Sequence, residues 1–248
     1  MPISIIKGSY KYCSKNKAFL LLISFFIVLS QFLPRTGHYT LPTIILSGII
    51  FNGYGLQVIE DVINDGVRLP KIMPKKILSY GIKGSVVHLF YSTIQIISLY
   101  IISRHLNFPK FEIEEIVLDL NRTATLFVNH DIISFIVFIV SGFIVVYITA
   151  FFMELSLARL ADGGRLREAF NFRRIKHAID IIGWRNYTIG YSKIIISIIV
   201  ITAINQYLSQ YMYIDFIVGI FTTLLLFAIE FRGMGIVYKV YIDNKGDT

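Results

Sequence analysis

Four polar side chains recur along one apolar stretch: Ser85, His88, Ser92 and Gln95, spaced by three, four and three residues. That spacing puts them on one face of a helix. Gly48, Asn52 and Gly55 mark a similar face in an earlier stretch. Polar groups find no partners in hydrocarbon, so both faces are expected to turn into a helix bundle. There they serve either as hydrogen-bonded helix contacts or as the lining of a hydrated path or ligand pocket, with His88 its titratable member. Acids and bases recur as well. Glu60, Glu154 and Glu230 close three apolar stretches, while Lys17, Lys83 and Lys193 open three others. A carboxylate at the hydrocarbon boundary is poorly hydrated, and a lysine on the neighbouring segment reduces that cost. The pattern predicts a ring of ion pairs at one end of a bundle, or a site for a cationic ligand between them. Independent glutamates on a lysine-rich side are the plainer alternative.

No other residues have the spacing of a known chemistry. A His-Glu-x-x-His pair, a Gly-x-Ser-x-Gly elbow and a phosphate-cradling Gly-rich loop are all absent. His105, Glu112, Glu115, Asp119, His130 and Asp131 are metal-ligand types, but carboxylates at i, i+3 and i+7 also make the solvated face of a surface helix. The solvated face accounts for them. The expectation is therefore no catalytic residue, no cofactor, no metal site and no enzyme.

The elements that carry these residues are long apolar blocks, such as 18–33, 132–153 and 194–204. Hydrophobic residues make up 55% of the chain and the mean hydropathy is +0.65, too apolar for an ordinary soluble domain. A helix crosses ~30 Å of hydrocarbon with about 20 residues. Segments at about 17–33, 41–62, 82–102, 132–154, 189–208 and 213–237 satisfy this. They predict an all-α membrane protein in which residues 1–248 form a single integral membrane domain, a six-transmembrane-helix bundle. Of the 24 Lys and Arg, all but Arg35, Arg104, Lys110 and Arg122 fall on one side of that alternating topology. Basic residues collect on the cytoplasmic side. Both termini are thus expected in the cytoplasm, and the protein in the cell membrane. The N-terminus has the basic-then-apolar form of a signal peptide, but Pro34-Arg35-Thr36-Gly37 follows the apolar run where a small-residue cleavage site would stand. The segment reads as a retained first helix.

A net charge of +8 fits basic loops facing anionic headgroups better than nucleic acid, because every basic segment adjoins a membrane helix. Cys13 is the single cysteine, which excludes an internal disulfide; set among Lys7, Lys11, Lys15 and Lys17, it reads as a cytoplasmic thiol. Two loops are long enough to hold structure. Outside, Ile113, Ile116, Val117, Leu120, Ala124 and Phe127 follow helical spacing, opposite Glu112, Glu115 and Asp119. They predict an outer interfacial amphipathic helix, with Asn121-Arg122-Thr123 as a glycosylation sequon on it. Inside, Phe170, Phe172, Ile175, Ala178, Ile179, Ile182 and Trp184 alternate with Arg173, Arg174, Lys176 and Arg185. They predict an inner interfacial helix lying along the headgroups.

One pentapeptide recurs: Asp65-Gly66-Val67-Arg68-Leu69 is echoed by Asp162-Gly163-Gly164-Arg165-Leu166. Each copy follows a descending segment and precedes an ascending one, so the two inner hairpins read as repeats of one unit. Asp-Gly supplies the turn. Arg68 and Arg165 would then meet lipid phosphates or a carboxylate on the neighbouring hairpin, as would Arg173 and Arg174 of the inner helix. At these residues the chain resembles a family. Gly53-Tyr54-Gly55, Asp65-Gly66 with Leu69-Pro70, and Tyr80-Gly81-Ile82-Lys83 are similar to the first half of the "domain of unknown function 4013" membrane proteins of prokaryotes, mainly methanogens. Ala158, Ala161, Gly163, Leu166, Ala169-Phe170-Asn171-Phe172 and Tyr187 carry the likeness through the second half, over roughly residues 18–240. Lys71-Ile72-Met73-Pro74-Lys75-Lys76 departs from it, standing where that family has acidic and aromatic residues. The resemblance implies a multi-pass membrane protein and supplies no catalytic residues.

Three functions remain in view. The first is a non-enzymatic membrane component that organises lipids or partner proteins, with the anionic inner headgroups and a membrane protein as partners and no nucleic acid. The second is a small transporter or channel using the face of Ser85, His88, Ser92 and Gln95. The third is a membrane enzyme acting on lipid headgroups.

Overall fold

A computed structural model describes residues 2–13, 40–106, 132–208 and 215–245, and every element among them is a helix. In chain order these are α1 (Pro2–Cys13), α2 (Thr40–Ile63), α3 (Pro74–His105), α4 (Ile132–Ala161), α5 (Leu166–Ala169), α6 (Phe172–Ile182), α7 (Trp184–Leu208) and α8 (Asp215–Asn244). Four are long and apolar enough to cross a membrane: α3, α4, α7 and the Val218–Asn244 part of α8. That is four, not the six expected. The first expected span, 17–33, lies outside the described residues, as do Lys17, the outer amphipathic helix and the sequon at Asn121. The second is present as α2, a helix of 24 residues.

The helices also run further than the apolar windows. α3 begins at Pro74 rather than near 82, and α4 continues to Ala161 rather than ending near 154. Hydropathy marks where lipid would lie, whereas the helix continues until a cap or turn ends the hydrogen-bond ladder. Pro74 suits a helical first position because its missing N–H has no partner there.

The chain divides into two compact units, residues 1–87 with 154–248, and residues 88–153. In the first, α8 is the hub, packing against α1, α2, α6 and α7. Leu224, Phe227, Ala228, Ile229, Phe231, Met234, Tyr238 and Tyr241 are its buried positions. Glycines set the closest approaches. A Cβ on Gly53 of α2 would strike the Ile77 carbonyl of α3, and a Cβ on Gly81 would strike the Ile49 carbonyl, so the two helices cross backbone to backbone. Gly55 likewise makes room for the Phe231 ring, while a Cβ on Gly48 would meet nothing within 4 Å among the described residues.

These contacts also give direction. α2 and α3 are antiparallel through the pairs Gly53–Ile77 and Gly81–Ile49, and α7 and α8 are antiparallel through Gly190–Val237 and Gly233–Ile194. α1 opposes α8, since the Ser9 hydroxyl donates to the Ala228 carbonyl and Cys13 Sγ lies 4.0 Å from the Leu224 carbonyl. α2 and α8 run the same way, with Gly55 beside Phe231 and Gly235 beside Ile59 and Val62. The N-terminal residues Pro2–Cys13 are therefore a packed helix. Cys13 is buried, and burial pushes its thiol up to about 12.

α6 departs from expectation in the direction it faces. Asn171 caps it by accepting a hydrogen bond from the Arg174 N–H at 3.2 Å, and Gly183 with φ +85° ends it. Ile175, Ala178, Ile179 and Ile182 form its apolar stripe, and that stripe is buried as the helix packs on α7 and α8. Protein, rather than lipid, covers it. Arg173, Lys176, His177, Trp184 and Arg185 remain exposed.

The second unit is a hairpin made by the later half of α3 and most of α4. Gln95 donates to Thr149 at 2.7 Å, and Gly142 admits Leu99, so the two helices are antiparallel. Leu89, Ile96, Ile97, Tyr100 and Ile101 on one helix, and Ile132 through Ile148 on the other, present exposed apolar side chains.

Candidate functional site

The polar residues of α3 are resolved into separate helix contacts. In the first unit Asn52 Nδ2 donates to Ser85 Oγ at 3.5 Å, joining α2 to α3 beside Gly84. In the second, Gln95 reaches Thr149, whose hydroxyl also donates to the Val145 carbonyl at 2.7 Å. His88 and Ser92 are half-buried, and His88 Nε2 is a buried atom with no hydrogen-bond partner.

The three glutamates meet different fates. Glu60 pairs with Lys76, at 2.6 Å to one carboxylate oxygen, and accepts a hydrogen bond from Tyr80. Lys76 also lies 5.4 Å from the Tyr80 ring centre. The expected partner was Lys83. Register explains the change: α3 folds back so that Ile77 and Gly81 lie against Gly53, which puts Lys83 about two turns too deep to meet the end of α2. Glu154 and Glu230 pair with neither Lys83 nor Lys193. They hydrogen-bond to each other, α4 to α8. Among the described residues no ion pair involves Lys83 or Lys193. A ring of three acid–base pairs does not form.

Eight residues beyond that pair, on both helices, the Tyr238 hydroxyl donates to Asp162 at 3.2 Å. Two polar contacts in step, Glu154–Glu230 and Asp162–Tyr238, make α4 and α8 parallel and in register. A matching contact sits at the end of α2, where Tyr12 donates to Asp61 at 2.9 Å. Burial, with Asp61 beside it, pushes the Tyr12 phenol well up, and the Arg232 guanidinium lies 5.6 Å from its ring. Lys239 pairs with Asp65. These aspartate contacts escaped the sequence reading. The available signal was an aspartate at the end of a descending helix, opposite tyrosine-rich α1 and α8.

The pentapeptide echo is real but shifted by one residue. The residue with positive φ is Asp65 (64°) in the first copy and Gly163 (79°) in the second. Each is followed by a glycine N–H bonded five residues back, Gly66 to Asp61 at 2.7 Å and Gly164 to Arg159 at 3.2 Å. This is the Schellman ending of a helix. Asp65 therefore corresponds to Gly163, not to Asp162, because the left-handed turn position sets the register. Arg68 and Arg165 do not occupy equivalent places, although both are exposed. Arg173 is exposed too, whereas Arg174 is tied to Glu168 at 2.7 Å. Glu168 also takes Arg159 at 3.6 Å, and Arg159 donates to the Arg174 carbonyl at 2.7 Å, which fastens α5 and α6 to the end of α4.

Among the described residues no three His, Cys, Asp or Glu side chains group as metal ligands. Neither the curated proteins nor the solved structures contain a match to the chain. A family model described as "Protein of unknown function (DUF4013)" matches residues 39–229, a narrower range than 18–240 that stops short of Glu230. With most of its length under that one model, the chain belongs to the DUF4013 family.

Proposed function

We propose that the protein is a six-pass membrane component, not an enzyme, which organises anionic lipid headgroups or partner proteins at the inner face of the cell membrane. The observation that carries this reading is the surface of residues 165–185. Arg165, Arg167, Arg173, Lys176 and Arg185 are exposed together with Phe172 and Trp184, while Glu168 and Asp180 are engaged by Arg174 and by the Trp184 indole. Basic groups flanked by aromatic rings suit phosphates at a membrane–water interface. With α6 held down by its own apolar stripe, that surface is presented rigidly.

Helix direction supports the six-pass topology. α2, α4 and α8 are parallel through their contacts in the first unit, and α1, α3 and α7 oppose them. A chain that crosses a membrane between each of these requires that alternation. Both termini would then be cytoplasmic. Asn52, Ser85, Gln95 and Thr149 bond across helices, which supports a packing role for the α3 polar face over a conduit.

Trp184 is the single tryptophan, so its fluorescence reports this surface alone. In nanodiscs, spin-labelled phosphatidylglycerol should quench it at least twofold more than spin-labelled phosphatidylcholine, and the difference should shrink with salt. Equal quenching by both lipids would remove the headgroup reading.

A further inference from the structure

No acidic residue occurs between Asp65 and Glu112, while Arg68, Lys71, Lys75, Lys76 and Lys83 open that stretch. The acids just before it are all engaged: Glu60 by Lys76, Asp61 by the Tyr12 hydroxyl and Asp65 by Lys239. Arg68, Lys71 and Lys75 stay exposed, and none of the three forms an ion pair among the described residues.

The backbone that carries them is fixed from beneath. The Tyr54 hydroxyl donates to the Pro70 carbonyl at 3.0 Å, and Gln57 Nε2 donates to the Lys71 carbonyl at 2.7 Å. Both donors sit on buried side chains of α2, and Leu69 is buried as well. A segment held in this way presents its outward side chains in set places.

Those outward side chains are not all polar. Val67 is 73% exposed, and Met73 and Leu78 are exposed too. On α3, Leu78 begins a stripe with Ile82 and Val86, all exposed and four residues apart. Ile77, Gly81, Gly84 and Val87 are the buried positions of the same turns. Ile82 and Val86 fall in the span expected at about 82–102, whereas Leu78 precedes it. The lipid-facing stripe thus continues past the expected edge of the span. It ends at Lys75, three residues before Leu78 on the same face. A lysine suits that end, because its stem lies along acyl chains while its ammonium reaches the phosphates.

We propose that residues 67–78 form a second site for anionic phospholipid at the inner face of the membrane. Val67, Met73 and Leu78 insert beneath the phosphates, and Arg68, Lys71 and Lys75 hold them. The proposal rests on the headgroup reading above for its side of the membrane, but the site differs in kind from the surface of 165–185. There aromatic rings lie at the interface; here aliphatic side chains reach below it. Bases with no acid among them are drawn to the negative inner leaflet, and the apolar groups gain by leaving water. Continuity with the lipid-facing stripe of α3 selects the bilayer as the occupant over a soluble acidic protein.

The test uses the full-length protein in nanodiscs. Met73→Trp or Leu78→Trp is combined with Trp184→Phe, so that each chain holds one tryptophan, within the site. Acrylamide should quench either one at least about threefold less than in the denatured chain, and lipid brominated high on the acyl chain should quench both. Spin-labelled phosphatidylglycerol should quench about twofold more than spin-labelled phosphatidylcholine, and Arg68→Gln, Lys71→Gln and Lys75→Gln together should remove that difference. Acrylamide access equal to that of the denatured chain at both positions overturns the proposal. So does a lipid preference that survives the triple substitution. Protection found only in nanodiscs holding two chains would give the surface to a second copy and equally reject the lipid. Wild-type Trp184, read separately, keeps the two sites apart: equal quenching there, with a preference at 73 and 78, removes the surface of 165–185 and leaves this site standing.

Discussion

Glycines that look alike along α2 do unlike work. Gly53 is in van der Waals reach of a neighbouring backbone, where nothing flexible can yield, and Gly81 is its counterpart across the crossing. Gly53→Ala and Gly81→Ala should each destabilise by ~1–3 kcal/mol, through forced separation of α2 and α3. Among the described residues Gly48 has nothing within 4 Å of an added Cβ, so Gly48→Ala should be neutral or stabilise by up to ~1 kcal/mol through helix propensity. Thermal unfolding in one detergent compares all three, and equal losses would contradict the crossing. Cys13 offers a second check on single side chains. A buried thiol with its pKa pushed up to about 12 presents little thiolate near neutral pH. Maleimide should modify it at least tenfold more slowly in the folded protein than in denaturant, and rapid labelling of the folded chain would place α1 away from α8.

Where helices end is decided by backbone conformation, and the two inner turns show it. Gly163 holds φ +79° without cost, whereas Asp65 holds φ +64° with a side chain attached. Gly163→Ala should cost ~1 kcal/mol. Asp65→Gly should relieve a similar strain while losing the Lys239 contact, which is worth little because Asp65 is 82% exposed. The net change for Asp65→Gly is neutral to slightly stabilising. If the two substitutions shift Tm in the same downward direction by similar amounts, the correspondence of Asp65 with Gly163 fails. The same register logic moved the Glu60 partner from Lys83 to Lys76. Helical spacing along one segment says which residues share a face; it does not say how far the next segment has slid along it.

For the molecule as a whole, the contacts order helices by direction and leave their placement in a membrane to labelling. With Cys13 replaced by serine, cysteines at 35, 115 and 209 should react with an impermeant maleimide from outside intact cells, while those at 70, 170 and 245 should not. Outside labelling at 170 would invert the orientation and put the basic surface of 165–185 on the wrong side for anionic inner headgroups. Position 170 is the sharpest of the six, because α5 and α6 are pinned to α4 by Arg159, Glu168 and Arg174 and cannot change sides independently.

Sequence by itself determined the class of molecule, for a physical reason: long apolar segments are a property of composition along the chain. It also named the family, through Gly53-Tyr54-Gly55, the two Asp-Gly turns and Ala169-Phe170-Asn171-Phe172. Amphipathic spacing correctly marked Ile175, Ala178, Ile179 and Ile182 as one face of α6. Whether lipid or protein covers that face was a tertiary matter, because both are equally apolar. The partners of the acids were tertiary too. A glutamate at the end of an apolar run looks the same whether it meets Lys76, another glutamate or water. Only the parallel register of α4 and α8 brought Glu154 to Glu230 and Asp162 to Tyr238, since contacts between distant segments depend on the helix crossings that close packing selects.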